Sequence, residues 1–373
     1  MLINLIFFLC INIFILRTIV FFIGAYKQRH KKHYLLNYES LPYVSVIIPA
    51  RNEEENIKKC IESIAKSDYP TDKYEIIAIN DRSRDNTYSI LNELEGKIEN
   101  LKIINITKKD AEDNLTGKAG ALQKGIDNAK GDIILMTDAD CIIHNKWIRS
   151  VVSYYSDKDV ALVASFTYIH PKNYFEILQS LEWIYMHSAA SAGIGLKQPL
   201  GCFGNNLSIR KSVFEEIGGY RNIRFSVTED LALIQAVAKQ KKKIIYKPEE
   251  TMTVFTLPVK TIKEYLAQHH RWAVGGIDLG WRAIFFVLSS IAIWIAVILS
   301  ILSHSWLMLI GTIITRMIGD FIIIFPSLLA IKKSKHFLYI FPSVIFFMLI
   351  ELILPFLLLN KNVIWKEQVF KRD

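Results

Sequence analysis

Cysteine is scarce in this 373-residue chain, and its four residues, Cys10, Cys60, Cys141 and Cys202, lie far apart. They match neither a zinc spacing nor a disulfide framework, which excludes a small stapled secreted fold and suits a reducing compartment. No internal repeat, low-complexity tract or Pro/Gly/Ser linker is present. The glycine-rich dinucleotide fingerprint is missing after the first strand-like run, where Pro49-Ala-Arg-Asn-Glu53 stands instead, against a nicotinamide enzyme. His269, His270 and His304 have no metal-ligand spacing. Basic residues interleaved with aromatics are also lacking, which makes nucleic acid the weakest of the partners that the excess of 45 Lys and Arg over 36 Asp and Glu allows. Anionic lipid and an anionic substrate come ahead of it.

What the chain has is hydrophobic sequence, 51% overall and concentrated at its two ends. Met1–Tyr26 is apolar apart from Arg17 and long enough to span a bilayer. Without a basic start or a small-residue cleavage site it reads as an anchor (residues 1–26), not a removed signal peptide. The cluster Lys27-Gln-Arg-His-Lys-Lys-His33 belongs in the cytoplasm, leaving the amino terminus outside. Within 281–360, Ala283–Leu302, Trp306–Ala330 and Phe337–Leu359 read as three further spans. Arg316 and Asp320 share a helical face and can pair, whereas Pro342, Glu351 and Pro355 interrupt the last segment. The loop Lys332-Lys333-Ser334-Lys335 suits the cytoplasmic side. Four full crossings would put the tail 361–373 outside, with Lys361, Lys366, Lys371 and Arg372, against the positive-inside tendency. Either the last segment is re-entrant or the tail is an exception. The expectation is an integral protein of a bacterial inner or plasma membrane with a cytoplasmic middle.

That middle, residues 40–258, alternates strand and helix patterns. Tyr43–Pro49, Tyr74–Asn80, Leu101–Ile106, Gly131–Thr137 and Val160–Ile169 read as strands; about Glu54 to Ala65, Lys118–Ala129 and Asn145–Tyr154 read as helices. Such alternation predicts an α/β fold with a mostly parallel, Rossmann-like sheet. Residues 259–280 read as an amphipathic interfacial helix opened by the capping box Thr261-Ile-Lys-Glu264 and ending near Gly275-Gly276.

Several residues then carry possible chemistry, each beside a plain structural role. Asp138 and Asp140 leave the end of a buried strand two residues apart, where open α/β sheets bind ligands. A divalent Mg²⁺- or Mn²⁺-type cation shared with substrate phosphates suits such a pair, and so does the amino terminus of the helix ahead. Asp81 ends another strand, in register with Asn52 and Glu53 at the end of the first; it serves a turn or a nucleoside pocket. Lys118 opposes the dipole of the helix it heads, which favours an anionic contact. Thr228-Glu229-Asp230 supplies an N-cap and two first-turn acids, or a carboxylate that takes a proton from an acceptor hydroxyl. Gln268, Arg271 and Trp272 share one helical face, for headgroups or for gripping a pyrophosphate and a sugar ring.

The ordered set Val46-Ile-Ile-Pro-Ala-Arg-Asn-Glu53, Asp81, Gly117-Lys118, Asp138-Ala-Asp140, Thr228-Glu-Asp230 and Gln268-His-His-Arg-Trp272 resembles the membrane-bound inverting glycosyltransferases of family 2. That branch includes cellulose, chitin, hyaluronan and poly-N-acetylglucosamine synthases and ceramide glucosyltransferases. The resemblance covers roughly Pro42 to Gly276 and the flanking spans, and implies a GT-A-type domain. It also implies a nucleotide-sugar donor, UDP-linked by expectation, a divalent metal, and a lipid or polysaccharide acceptor. Asp81 would contact the nucleobase beside the Ala50–Glu53 turn, including Ala50 and Asn52. Asp138 and Asp140 would hold the metal, and Asp138 the donor as well. Asp230 would be the catalytic base, and Gln268, Arg271 and Trp272 would close the donor site. Gly201-Cys-Phe-Gly-Asn-Asn206 resembles the acceptor loop. With no appended regulatory domain and about three spans after the catalytic part, single-sugar transfer to a lipid is the nearer expectation. Two rival readings are a nucleotidyltransferase that makes a sugar nucleotide, and a non-enzymatic transport or scaffold protein with a nucleotide-sensing domain.

Overall fold

The computed structural model describes residues 1–32, 37–107, 115, 117–360, 362–366 and 368–371. His33, Lys361 and Arg372 of the basic segments lie outside these. Strands are β1 Val44–Ala50, β2 Tyr74–Asp81, β3 Leu101–Ile106, β4 Ile133–Met136, β5 Ile142–Ile143, β6 Val160–Ser165, β7 Thr167–Ile169, β8 Leu207–Arg210, β9 Lys243–Lys247, β10 Val254–Thr256, β11 Asn362–Trp365 and β12 Gln368–Lys371. Helices are α1 Leu2–Arg29, α2 Ile57–Ala65, α3 Thr87–Glu95, α4 Gly117–Asp127, α5 Trp147–Ser153, α6 Tyr174–Gly195, α7 Lys211–Glu216, α8 Glu229–Lys239, α9 Ile262–Gly276, α10 Trp281–Leu302, α11 Trp306–Ala330 and α12 Ile340–Leu357.

The main sheet has seven strands in the order β3-β2-β1-β4-β8-β6-β9. Only β8 runs against its neighbours, so the expected mostly parallel sheet is what forms. Helices cover both faces, which is why every residue of β2 is buried. Alternate side chains serve two cores: Ile47, Ile77 and Ile79 pack on one face with Leu122 of α4, while Val46, Ile48, Ile76 and Ala78 pack on the other with Ile61 of α2 and Trp147 of α5. The register Ala50↔Asn80 and Ile47↔Met136 brings the carboxyl ends of β1, β2 and β4 to one edge.

Three expectations change. The run Val160–Ile169 is not one strand; β6 stays in the main sheet and β7 joins a second sheet, β5-β10-β7. The break falls at Phe166, whose carbonyl accepts from Asn206 Nδ2 (2.8 Å) and the Val254 amide (3.2 Å). Asp138 and Asp140 do not head α5, because β5 intervenes. The 22-residue α6 has no counterpart in the sequence reading; it is buried nearly all round and so shows no single apolar stripe.

Helix α6 lies between the α/β domain and the apolar helices. It crosses α1 at Gly24 and Gly195, where a Cβ on Gly24 would stand 2.3 Å from the Ala192 carbonyl oxygen. The end of α1 reaches β9, Gln28 Oε1 accepting the Tyr246 amide (3.1 Å) and Lys247 Nζ donating to the Lys31 carbonyl (3.0 Å). The basic end of α1 therefore abuts the α/β domain. Arg316 Nε donates to Asp320 (2.8 Å), the expected pair, and its other nitrogens reach Glu351 of α12 at 3.1 and 2.8 Å. The carboxylate that interrupts α12 thus ties it to α11.

By length and composition α1, α11 and the segment Ser334–Leu357 can cross a membrane, and α10 has a shorter apolar stretch, Val287–Leu302. After α12 the chain turns back: His270 Nε2 donates to the Asn360 carbonyl (2.6 Å), and the β11–β12 hairpin places Lys366 Nζ 2.8 Å from the Arg51 carbonyl. The described part of the tail therefore lies against the α/β domain.

Candidate active site

The edge formed by β1, β2 and β4 opens into a cavity of about 1160 Å³. Ala50, Glu53, Asp81, Lys118, Asp138, Asp140, Asp230, Gln268, Arg271 and Trp272, ten of the eleven residues singled out from sequence, line it. Asn52 does not. Its backbone is left-handed (φ 53°), its amide donates to Ser83 Oγ (3.0 Å) and its Oδ1 accepts the Arg84 amide (2.9 Å). Asn52, expected beside the donor, thus lies outside the cavity lining and braces the β1 turn against the β2 turn. Glu53 is fixed the same way, its amide donating to Thr87 Oγ1 (2.8 Å).

Asp81, nearly buried at the end of β2, accepts from Arg82 Nε at 2.7 Å and has Arg51 Nη1 at 4.0 Å. Its carboxylate is thereby pinned at the cavity wall. Lys118 sits at the start of α4 behind Gly117, whose φ of 66° only glycine adopts freely. Its Nζ lies 2.6 Å from Asp138 Oδ1 and 3.1 Å from Glu229 Oε1. Burial alone would discharge Lys118, but the carboxylates of Asp138, Glu229 and Asp230 outweigh it and hold the ammonium above its usual range. Lys118 thus links the β4 turn to the start of α8, and the basic residue at a helix start has its explanation.

Asp140 accepts from Thr256 Oγ1 at 3.3 Å. Burial, then the negative charges of Asp138 and Glu53, push its carboxyl up to about 6; Lys366 from the tail opposes this. A half-buried carboxylate crowded by two others is a place where a cation belongs. Among the described residues no cluster of three or more His, Cys, Asp or Glu forms a complete metal cage. The donor set fits a hard cation that takes one or two carboxylates and completes its shell with substrate oxygens.

Asp230 stands in the first turn of α8. Thr228 makes no side-chain cap, so the capping role expected of it is not what orders this segment. Instead Asp230 Oδ2 accepts the Gly204 amide (2.7 Å) and Oδ1 the Leu231 amide (2.8 Å). Gly204 belongs to the Gly201–Asn206 loop, so this carboxylate ties the loop to α8. Burial, then the charge of Glu229, raise the Asp230 carboxyl to about 6, with Lys118 and the two amides opposing. A half-buried carboxylate with its pKa raised toward neutrality on a cavity wall is suited to accepting a proton.

Helix α9 closes the opposite wall. Its capping box forms as expected. Trp272 packs edge-on against Trp183 of α6 (5.6 Å between ring centres) and Phe203 (6.0 Å). From there the cavity runs on between α10 and α12, past Val287, Ile291, Ile295, Leu354 and Leu358. Several of these are largely exposed, so the cavity has an apolar lateral mouth. Sequence reasoning read Glu229 only as a first-turn acid beside Asp230, because its partner Lys118 is 111 positions away. Lys366, beside Glu53 and the Arg51 carbonyl, was legible only as a tail charge.

Residues 45–232, just over half of the chain, match the family model described as Glycosyl transferase family 2. The "Glycosyltransferase AglE" of Haloferax volcanii is 33% identical over 186 residues, 49% of this chain and 57% of that protein. A Beta-monoglucosyldiacylglycerol synthase from Nostoc is 29% identical over 246 residues, 64% of this chain and 49% of that one. The chain thus spans about half the length of the curated relatives it matches. Among solved structures, the mannosyltransferase PcManGT from Pyrobaculum calidifontis, in complex with GDP-Man and Mn²⁺, superposes with a TM-score of 0.63 at 17% identity. That match covers 93% of this chain and 99% of the other, and bears on the fold alone.

Proposed function

Because the chain belongs to glycosyl transferase family 2 and is a glycosyltransferase, we propose that it moves a sugar from a nucleotide-sugar to the hydroxyl of a membrane lipid by single displacement with inversion. The observation that carries this reading is one continuous cavity, lined both by Asp81, Asp138, Asp140 and Asp230 and by apolar residues of α10 and α12. An amphiphile entering from the bilayer can present a polar head to Asp230 while its hydrocarbon stays among Ile291, Ile295 and Leu358. A soluble glycan has no use for such a mouth.

In this reaction the nucleoside lies against Asp81, and the diphosphate lies by Asp138, Asp140 and Arg271. A divalent cation bound by Asp138 and Asp140, of the kind the Pyrobaculum enzyme holds as Mn²⁺, would supply charge stabilisation to the leaving diphosphate. Asp230 Oδ takes the acceptor proton as the acceptor oxygen bonds to the anomeric carbon and the bond to the diphosphate breaks. Lys118 between Asp138 and Glu229 holds the donor and base ends at fixed separation. Trp272, Trp183 and Phe203 give a sugar ring an apolar, water-excluding surface. The catalytic domain lies on the side of the basic end of α1, which by the positive-inside tendency is the cytoplasm.

The test uses purified protein with Mn²⁺, labelled UDP- or GDP-sugars and a membrane-lipid extract. Nucleoside diphosphate should appear together with label in the lipid phase, and label should not pass to a water-soluble glycan. Release of pyrophosphate would replace this reading with nucleotidyl transfer. No turnover with any sugar nucleotide would favour a transport or scaffold role.

A further inference from the structure

We infer that Glu182, on α6 and outside the donor and base groups described above, is a positioning residue that sets the roll of α9 through a protonated His269. The inference rests on the proposed role of α9 in closing the donor site. Glu182 is buried, at 7% exposure. Its two oxygens each take one hydrogen bond from α9: Oε2 from Tyr265 Oη (2.5 Å) and Oε1 from His269 Nε2 (2.9 Å). Tyr265 and His269 are one turn apart, so the carboxylate grips two rungs of the same helix face. A helix held at a single point can rotate about it; held at two on one side it cannot.

The state of His269 follows from geometry. Its Nδ1 faces the Tyr265 carbonyl (2.9 Å) while its Nε2 faces Glu182. Both neighbours are acceptors, and a neutral imidazole has one N–H, so only the imidazolium satisfies both. The charged groups packed around it agree. Helix α6 contributes Glu182, α9 contributes Tyr265, and the remaining ring contacts, Trp272 (5.1 Å from His269) and Phe346 of α12 against Tyr265, bring no charge. Burial opposes the cation, yet Glu182 outweighs it and raises the pKa of His269.

The consequence for the site is direct. Gln268, Arg271 and Trp272 occupy the cavity-facing side of α9, next to the clamped residues Tyr265 and His269. When His269 loses its proton, its single N–H can serve Glu182 or the Tyr265 carbonyl but not both, and the charge that pairs with Glu182 is gone, so the His269 rung of the clamp weakens and the roll of α9 relaxes. Activity therefore falls as pH rises through the elevated pKa of His269.

Glu182→Gln provides the decisive variant. An amide can accept from Tyr265 Oη and donate to the unprotonated Nε2 of a neutral His269, so it restores both contacts without the charge. Full-length wild type, Glu182→Gln, Glu182→Ala and Tyr265→Phe are compared by donor KM and kcat across pH 6–10. Wild type should lose activity on the alkaline side through a rise in donor KM. Glu182→Gln should keep near-wild-type activity at neutral pH and lack that alkaline limb. Glu182→Ala should raise donor KM at least tenfold at all pH values, and Tyr265→Phe should do so by a smaller factor. If Glu182→Gln shows the wild-type alkaline limb, or Tyr265→Phe and Glu182→Ala bind donor as wild type does, the clamp does not position the site. Failure of wild type to transfer any sugar would instead refute the proposed function.

Discussion

Replacing Asp230 by Asn separates chemistry from folding. The Asp230 carboxyl rises from the ordinary 3.8 to about 6, first through burial and then through Glu229. At 1.36 kcal/mol per pH unit, keeping it ionised above pH 6 costs the folded protein roughly 3 kcal/mol. A raised carboxyl stabilises the fold most when protonated; that contribution is full below about pH 4 and is lost as pH climbs through 6. An amide never ionises, so Asp230→Asn escapes the cost at pH 7.5. Against this, both oxygens now accept backbone amides from Gly204 and Leu231, and the Asn NH₂ must face one of them. That mismatch removes about 1–2 kcal/mol. The variant should therefore be as stable as wild type at pH 7.5, or about 1–2 kcal/mol more stable, while sugar transfer falls roughly 10²–10⁴-fold, the usual worth of a positioned base. Thermal unfolding in detergent and steady-state transfer with lipid acceptor measure the two. Wild-type turnover should also decline as pH drops below about 6, where Asp230 takes up its proton. A variant that loses stability along with activity, or that keeps near-native transfer, would refute Asp230 as a strained, ionised base.

Three further outcomes follow from the same geometry. Asp140→Ala should abolish the Mn²⁺ dependence of donor binding in calorimetry run with and without Mn²⁺, while nucleoside binding near Asp81 persists. Lys366→Met removes a cation that pairs with Glu53 and acts on Asp140; because like charges in one cavity repel, half-saturation by Mn²⁺ should fall at least several-fold in a metal titration of donor release. Arg316→Leu strands two carboxylates in the apolar helix block and should cost about 3–5 kcal/mol, while Arg316→Leu combined with Asp320→Leu and Glu351→Leu should recover most of it, because uncharged packing replaces a buried triad at little loss; melting of the two variants in detergent compares them.

The sequence by itself determined the elements whose signal is local. Parallel strands buried on both faces show as largely apolar runs, so β1, β2 and β4 were legible to within about two residues at each end, and the half-exposed edge strand β3 by its isoleucines. The acids and cations at their carboxyl ends were legible too, because an α/β sheet brings those ends to one edge. Periodicity and the Thr261 box likewise marked α9. What tertiary structure decided are properties of distant pairs. Phe166 breaks one apolar run into two sheets through hydrogen bonds to Asn206 and Val254. Asn52 is turned away from the cavity by partners some thirty residues on. Lys118 is assigned to Asp138 and Glu229, and Lys366 to a site more than 300 positions earlier, only when the chain closes on itself. Helix α6, without an amphipathic period, gave no pattern to read, yet it carries the carboxylate that orients α9. Local pattern reports which face of an element is dry; it carries no record of which charges will share a cavity, since that depends on contacts made across the whole fold.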